Sequence, residues 1–439
     1  MSKKSIRMTT AVAALAAGAV ALSACGGGSG SSDASGAVEG TIAYGFWGTP
    51  ARAEKVDAVG DLFKAAYPEA SIKTEVADYY AYIERLTVRA AGNDLPCATG
   101  TQSTFFAQYA DKGVLRPLDD LIESGQIDVS GIPDDVLEAG QIGGEQFMIP
   151  TGTFVRLLAY NADMVAEAGL EKPNDDMTWE DYAAWLEQLQ PKLPAGVYAA
   201  ENEGGLMFTF SSWVIGHGGE VFTEDNELGF DKEMLADYLQ YWLDLADAGV
   251  ILPPSSIPEQ NGALELTPMA TGAAVAGTRD IPHIYITEQA LAGAGKPSNI
   301  EQVSIPSEDE DQSANILGSN GISIPESCDN VPTAGAWIDF FANDVDAALA
   351  FQSDNGILTN TDAQDALLED DTTPDGVKQN VTILRGLTEA GDLTTSRYPA
   401  GLNTISNELL RLYQSVAFGE MTVDAAVDAF FASAEDALN

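Results

Sequence analysis

The chain has 439 residues, with 67 Asp or Glu against 21 Lys or Arg and a formal net charge of −46 at pH 7. Such a field repels phosphate backbones and argues against a nucleic-acid partner. The acids are spread along the chain, which fits a solvated surface better than a tail for a basic partner. With 45% hydrophobic residues the chain can fill more than one core, so two or more domains are expected.

In chain order, Lys3, Lys4 and Arg7 precede an apolar run from Ala11 to Leu22. A spanning helix needs about 20 apolar residues, so this run has the proportions of a signal-peptide core, and no later segment approaches spanning length. Leu22-Ser23-Ala24-Cys25 resembles the end of a bacterial lipoprotein signal, with residues 1–24 removed and Cys25 lipidated; an ordinary secretory signal with a chance cysteine is the alternative. Residues 25–37, opening Gly26-Gly27-Gly28-Ser29, read as a flexible tether. Cys97 and Cys328 then remain as an even pair in an oxidising compartment, bridged or present as two buried thiols.

Thr41–Trp47 is rich in β-formers and predicts the first strand. Val56, Val59, Leu62 and Phe63 follow at helical spacing, Ser71–Val76 alternates as a second strand, and Ile83, Leu86 and Ala90 predict a second helix. A third strand starts at Cys97–Gly100. This β-α-β-α-β order predicts an α/β layer with a mainly parallel core. Phe147–Tyr160 is expected to form two short strands around a Thr151-Gly152-Thr153 break, a pattern suited to a crossing between domains. Thr178 and Asp181 predict a capping box, and Trp185 and Trp242 fall on apolar helix stripes and are assigned to the core. Ala270–Gly277 reads as a buried small-residue strand leading to Arg279-Asp280, and Ile322 and Ile324 mark another strand.

Ordered stretches of this chain resemble the extracellular solute-binding lipoproteins of bacterial carbohydrate ABC importers, of the maltose and multiple-sugar type. They are Asn93-Asp94-Leu95-Pro96, Tyr160-Asn161 with Met164 and Ala168-Gly169-Leu170, Thr178-Trp179-Glu180-Asp181-Tyr182, Gly218-Gly219-Glu220-Val221-Phe222, Gly272-Ala273-Ala274-Val275 and Gly321-Ile322-Ser323-Ile324-Pro325. Two departures concern ligand identity: family members often carry Asp where Cys97 stands, and several place Trp near Arg279. The resemblance implies a two-lobe periplasmic-binding-protein-like α/β fold whose lobes close on a sugar, with hinge crossings near 152, 317 and 361. The first lobe would combine 38–152 with 318–361 and the second 153–317 with 362–439. It also places the strand after the second crossing beside the one that Cys97 starts, which favours a Cys97–Cys328 disulfide.

Sugars are held by aromatic faces and by planar polar groups that satisfy buried hydroxyls. Loops at strand ends line the cleft of α/β lobes, which selects Trp47, Thr49, Gln102, Thr104, Phe105, Phe154, Trp213 (taken as a loop residue), Arg279, Asp280, Asn320 and Tyr398, with Tyr80 as a weaker choice. Core packing competes for each aromatic, and an Arg279–Asp280 ion pair competes with an Arg279 fork to sugar hydroxyls. No Gly-x-Ser-x-Gly elbow, phosphate-binding glycine loop or metal-spaced cluster accompanies His217 and His283, so no cofactor, metal or catalysis is expected. The expectation is a lipid-anchored, monomeric oligosaccharide receptor on the outer face of the cell membrane, compatible with a Gram-positive actinobacterium, serving ABC permease subunits. A receptor for a peptide or polyol is the second reading, and a surface glycosidase or an adhesin stands further off.

Overall fold

The structure is a computed structural model that describes residues 36–438 apart from 224, 258–263, 310, 311 and 397. The signal segment and Cys25 lie outside the described residues, as does the side chain of Tyr80.

The first third follows the alternation of apolar residues closely. β1 (Gly40–Trp47) leads into the helix Pro50–Ala66, and β2 (Ala70–Ala77) into the helix Tyr79–Ala91, followed by β3 (Ala98–Gln102). Side-chain caps set both helix starts: Thr49 accepts from the Arg52 N–H and Asp78 from the Ala81 N–H. β2, β1 and β3 pair in parallel. Next comes a two-strand hairpin of β4 (Gln141–Ile142) and β5 (Glu145–Gln146). Its turn residues, Gly143 and Gly144, both have positive φ (59° and 84°), which a two-residue turn of this kind requires.

β6 (Ile149–Asn161) is one continuous strand, not two short ones. Thr151-Gly152-Thr153 does not break it because the two threonines favour extended backbone. Gly152 serves a close approach instead: a Cβ there would lie 2.3 Å from the Asn355 carbonyl oxygen. The Thr153 and Ile357 backbones exchange hydrogen bonds of 2.7 and 2.8 Å beside it.

The second region contributes β7 (Tyr198–Ala200), β8 (Ala274–Asp280) and β9 (Ile300–Val303) before β10 (Ile316–Ser323), with the short β11 (Thr394–Thr395) following later. One sheet runs in the order β2-β1-β3-β10-β6-β8-β7, with β9 on β6 and β11 on β10. β6 therefore pairs with β10 over its first half and with β8 and β9 over its second. Parallel pairing holds at β2-β1-β3, β7-β8 and β10-β11, so neither lobe is parallel throughout. The two crossing strands run in opposite directions, out and back, which makes the β10–β3, β10–β6, β6–β8 and β6–β9 pairs antiparallel.

Two large apolar cores flank this sheet. One gathers Tyr44, Phe46, Phe63, Trp337 and Phe341, and the other Tyr160, Trp179, Trp213, Tyr238, Trp242 and Phe430. Trp185 and Trp242 are core residues, as their stripes indicate. Ala363, Leu367, Val381 and Leu384 pack into the first core, and the chain joins the second only from Tyr398 and Leu402. The apolar faces of the helices Thr361–Glu369 and Asp375–Ala390 make the contacts with the first core.

Cys97 and Cys328 form a disulfide with a Cα–Cα distance of 4.8 Å. Antiparallel pairing of β3 with β10 (Thr99 opposite Ser323) brings the residue before one strand next to the segment after the other.

Candidate functional site

A cleft of ≈ 1010 Å³ opens between the two cores. From the first side it is lined by Ser103, Phe106, Ala107, Glu138 and the Gln141–Gly144 hairpin, and from the other by Ile215, Gly218–Phe222 and Asp225. Gln312, Thr394–Ser396 and Tyr398 close one end. Pockets for drug-sized molecules measure about 300–1,000 Å³, so this cleft is sized for a ligand of several rings. Hydroxyl, amide and carboxylate groups dominate its lining, and the rings of Phe106, Phe222 and Tyr398 back it from the two sides, each under 5% exposed.

Local structure explains the lining. β3 ends at Gln102, and the turn Ser103–Phe106 carries the chain over the strand tips. The helix Met207–Gly216 ends at His217, whose Nδ1 lies 2.7 Å from the Trp213 carbonyl, and Gly218 with φ 73° turns the chain into the cleft. Tyr398 is 3% exposed, with its hydroxyl oxygen buried beside Ser396. Its ring packs edge-on against Phe208 at 5.9 Å, and the Arg156 guanidinium lies 4.8 Å from the Phe208 centroid.

Behind that layer is a buried charge network. Arg156 meets Asp280 with a two-point fork at 2.8 and 3.2 Å, and His283 Nδ1 approaches Asp280 at 3.4 Å. Arg279 makes an end-on fork, through Nη1 and Nη2, to Glu201 at 2.9 and 2.5 Å. Glu203 accepts from the Thr278 N–H at 2.7 Å and from its hydroxyl at 3.0 Å. Burial pushes the Asp280 carboxyl up, but Arg156 and His283 outweigh it and hold the carboxyl at about 2. Burial and the neighbouring Glu201 raise Glu203, and burial lowers the His283 imidazole. Among the described residues no group of three His, Cys, Asp or Glu stands close enough to hold a metal ion.

Of the residues selected from sequence, Tyr398 lines the cleft. Gln102, Thr104 and Asn320 come together beside Ser103: Gln102 Nε2 donates to Asn320 Oδ1 at 2.8 Å, Thr104 donates to Gln102 Oε1 at 2.6 Å, and Asn320 Nδ2 donates to the Asn355 carbonyl at 2.9 Å. They tie β10 to the end of β3 and to the Asn355 segment, one step back from the lining. Trp47 and Phe105 pack at 6.0 Å in a small apolar cluster with Tyr82 and Phe106, and Thr49 is a helix cap. Phe154 lies on β6 against Gly318, where a Cβ would sit 2.3 Å from its ring.

Three expectations are corrected. Trp213 is in a helix, not a loop, and is 5% exposed against Trp179, Tyr238 and Tyr241, because its apolar neighbours Phe210 and Val214 make that segment a core helix. Arg279 and Asp280 do not follow their strand but end it, as part of β8. They neither pair with one another nor stand free, since Glu201 and Arg156 take their charges. Sequence reasoning also missed Phe106, Glu138, Gln141, Glu220, Phe222 and Asp225 as lining residues. The Gly143-Gly144 turn was the available signal for the hairpin, and Gly218-Gly219 for the facing loop.

The comparisons with known proteins agree with this geometry. The family profile described as bacterial extracellular solute-binding protein matches residues 47–348. An extracellular solute-binding protein of family 1 from Alicyclobacillus acidocaldarius superposes with a TM-score of 0.71 at 22% identity, covering 92% of this chain and 99% of its own. An ABC substrate-binding protein from Listeria monocytogenes, solved with cycloalternan, gives 0.72 at 20% identity over 91% and 98%. The GacH receptor of Streptomyces glaucescens, solved unliganded and with acarbose, gives 0.72 at 17% identity over 92% and 99%. At these identities the superpositions speak for the two-lobe α/β fold, and the profile match covers more than half of the sequence. The chain belongs to the bacterial extracellular solute-binding proteins.

Proposed function

We propose that this protein is the lipid-anchored substrate-binding component of an ABC importer and that it captures an oligosaccharide in the cleft between its lobes. The observation that carries this reading is the cleft itself: ≈ 1010 Å³, lined from both cores by hydroxyl, amide and carboxylate groups over buried aromatic rings. The lobes would comprise about 38–152 with 318–393, and 153–317 with 394–438, joined through β6, β10 and the segment before Tyr398. Closure about these crossings buries the ligand from both sides, a hinge motion of the kind that ordered lobes allow. The Gln102–Asn320–Asn355 bonds fasten the crossing strand β10 to β3 and to the Asn355 segment, and the two buried forks hold the floor of the second lobe.

Cys25 would carry the lipid and hold the receptor at the outer face of the membrane, where ABC permease subunits receive the sugar. Among the described residues no helix is long and apolar enough to cross a membrane. Palmitate labelling of the full chain should be abolished by Cys25→Ala if this anchor is right. A thermal-shift screen of the mature chain against saccharides, with peptides, polyols and amino acids as controls, tests the function. Ligand at a hundredfold excess over Kd stabilises by ~2.7 kcal/mol. A selective shift with an oligosaccharide and no sugar release supports the receptor. A shift only with a peptide or polyol rejects it.

A further inference from the structure

Three carboxyl groups are buried together in the second lobe, and two guanidinium groups stand with them. Glu201, Glu203 and Asp280 are 2%, 2% and 7% exposed. Arg279 forks to Glu201, and Arg156 forks to Asp280. His283 approaches Asp280, and burial holds its imidazole toward the neutral form. Glu203 is left over: among the described residues no Lys, Arg or His forms an ion pair with it. Arg156 from β6, Glu201 at the end of β7 and Arg279 from β8 are the charges that reach it. The helices Trp179–Leu189 and Lys232–Asp247 turn Tyr182 and Tyr238 toward it, with Tyr413 beyond, and burial keeps all three phenols neutral. Ionised Glu203 would therefore be a third buried anion against two cations.

The hydrogen bonds of Glu203 also suit a neutral acid. Its Oε1 accepts twice, from the Thr278 N–H at 2.7 Å and the Thr278 hydroxyl at 3.0 Å. Its Oε2 meets one group, the Thr209 hydroxyl, at 3.3 Å. A hydroxyl donating to an ionised carboxylate closes to about 2.5–2.7 Å. Acids nearer the surface show that closeness: Thr74–Asp57 at 2.7 Å, Thr372–Asp370 at 2.6 Å and Tyr160–Glu301 at 2.7 Å. In Glu203 the twice-bonded Oε1 has the surroundings of a carbonyl oxygen, and Oε2 those of an O–H with one acceptor in reach.

We propose that Glu203 is kept as the un-ionised acid in the folded chain, its Oε2 proton directed at Thr209, so that the second lobe is fastened by a proton and loosens as the pH rises. This concerns the lobe and holds whatever the cleft binds. Thr209 lies in the first turn of the helix Met207–Gly216, whose far end leads into the cleft at Gly218. The Leu206 N–H and the Tyr238 hydroxyl both donate to the Glu203 carbonyl, so the start of that helix is tied to this one residue. Loss of the proton to water removes the donor to Thr209 and leaves an unpaired anion beside Glu201. Burial and Glu201 push the Glu203 carboxyl up, so the folded chain retains a proton that the unfolded chain releases. The stability this supplies is full below the ordinary 4.5 and is lost as the pH rises through the folded value, the opposite sense to Asp280.

The test is infrared spectroscopy of the mature chain at about pH 6, where an exposed Glu is almost wholly ionised, read as the difference between wild type and Glu203→Gln. Gln offers the same pattern as the neutral acid, a carbonyl to Thr278 and a donor to Thr209, so this variant should fold. The expected difference is one protonated-carboxyl band, which gives way to a carboxylate band as the pH is raised. Over the same range the wild-type folding equilibrium should weaken against that of the variant, by up to about tenfold per pH unit in urea unfolding. Amide exchange across 206–210 should quicken there in wild type alone. A carboxylate band from Glu203 at the starting pH, a variant that fails to fold, or parallel pH profiles for the two proteins overturns the proposal.

Discussion

The second lobe carries two sets of carboxylates in opposite circumstances. Glu201, Glu203 and Asp280 are buried, and each is met by a guanidinium fork or by a backbone N–H and hydroxyl. Glu220 and Asp225 line the cleft exposed, with no side-chain hydrogen bond or ion pair among the described residues. The first set is costly to desolvate and tolerable only because its partners are in place, so it fixes the shape of the lobe. The second set stays hydrated and costs little, so it is available to a ligand. Neighbouring acids thus divide between holding the scaffold and meeting the solute, and the division follows burial and partnering alone.

The comparison breaks most sharply at Arg279. Arg279→Met strands the buried Glu201 carboxylate and should cost about 3–5 kcal/mol in urea unfolding. Replacing both partners by methionine should recover most of that loss. A single variant within ~1 kcal/mol of wild type would mean that the fork holds nothing. The Cys97–Cys328 disulfide comes next: it closes a separation of 231 residues, and its removal should cost about 2–4 kcal/mol. Comparing the urea midpoints of oxidised and reduced chains checks this.

Asp280 gives a pH signature. Its carboxyl is held at about 2 when folded, below the ordinary 3.8, so the folded state gains stability once the pH exceeds 3.8 and loses it as pH falls through about 2. The loss is of order 2 kcal/mol, and it should be missing from the pH dependence of Asp280→Asn. A parallel pH profile for the two proteins would contradict the Arg156 pairing. At the hinge, Gly152→Ala places a methyl against the Asn355 carbonyl and should cost about 1–3 kcal/mol, read as a lowered unfolding midpoint. The smallest effect on stability belongs to Tyr398→Phe. Removing a buried hydroxyl with at most one weak partner, Ser396, should leave the unfolding midpoint within ~0.5 kcal/mol of wild type.

Much of the fold could be read directly. The β1–β3 region announces itself because strand alternation, helical spacing and the breaks between them agree with one another. Thr178 and Asp181 form the reciprocal cap their spacing indicates. What misled were residues whose local signal has two physical uses. Gly152 looked like a break and is a point of backbone contact, and Ser211-Ser212 looked like a loop and sits in a buried helix. The site was harder, because polar residues at strand ends do not reveal their partners. Arg279 reads as a free fork until Glu201, 78 positions away, is placed against it. The cleft lining comes largely from segments after the strand tips, around Glu138 and Glu220, where neither periodicity nor motif marks a direction.

Hydrogen–deuterium exchange of the mature chain, with and without a saccharide that raises its melting temperature, tests the central claim most directly. Ligand held between the lobes predicts slowed exchange in 103–107 and 138–144 from one side and in 215–225 and 394–398 from the other, in the same experiment. Protection confined to one lobe, or located at the outer groove lined by Trp179, Trp213 and Tyr241, would contradict capture in the cleft.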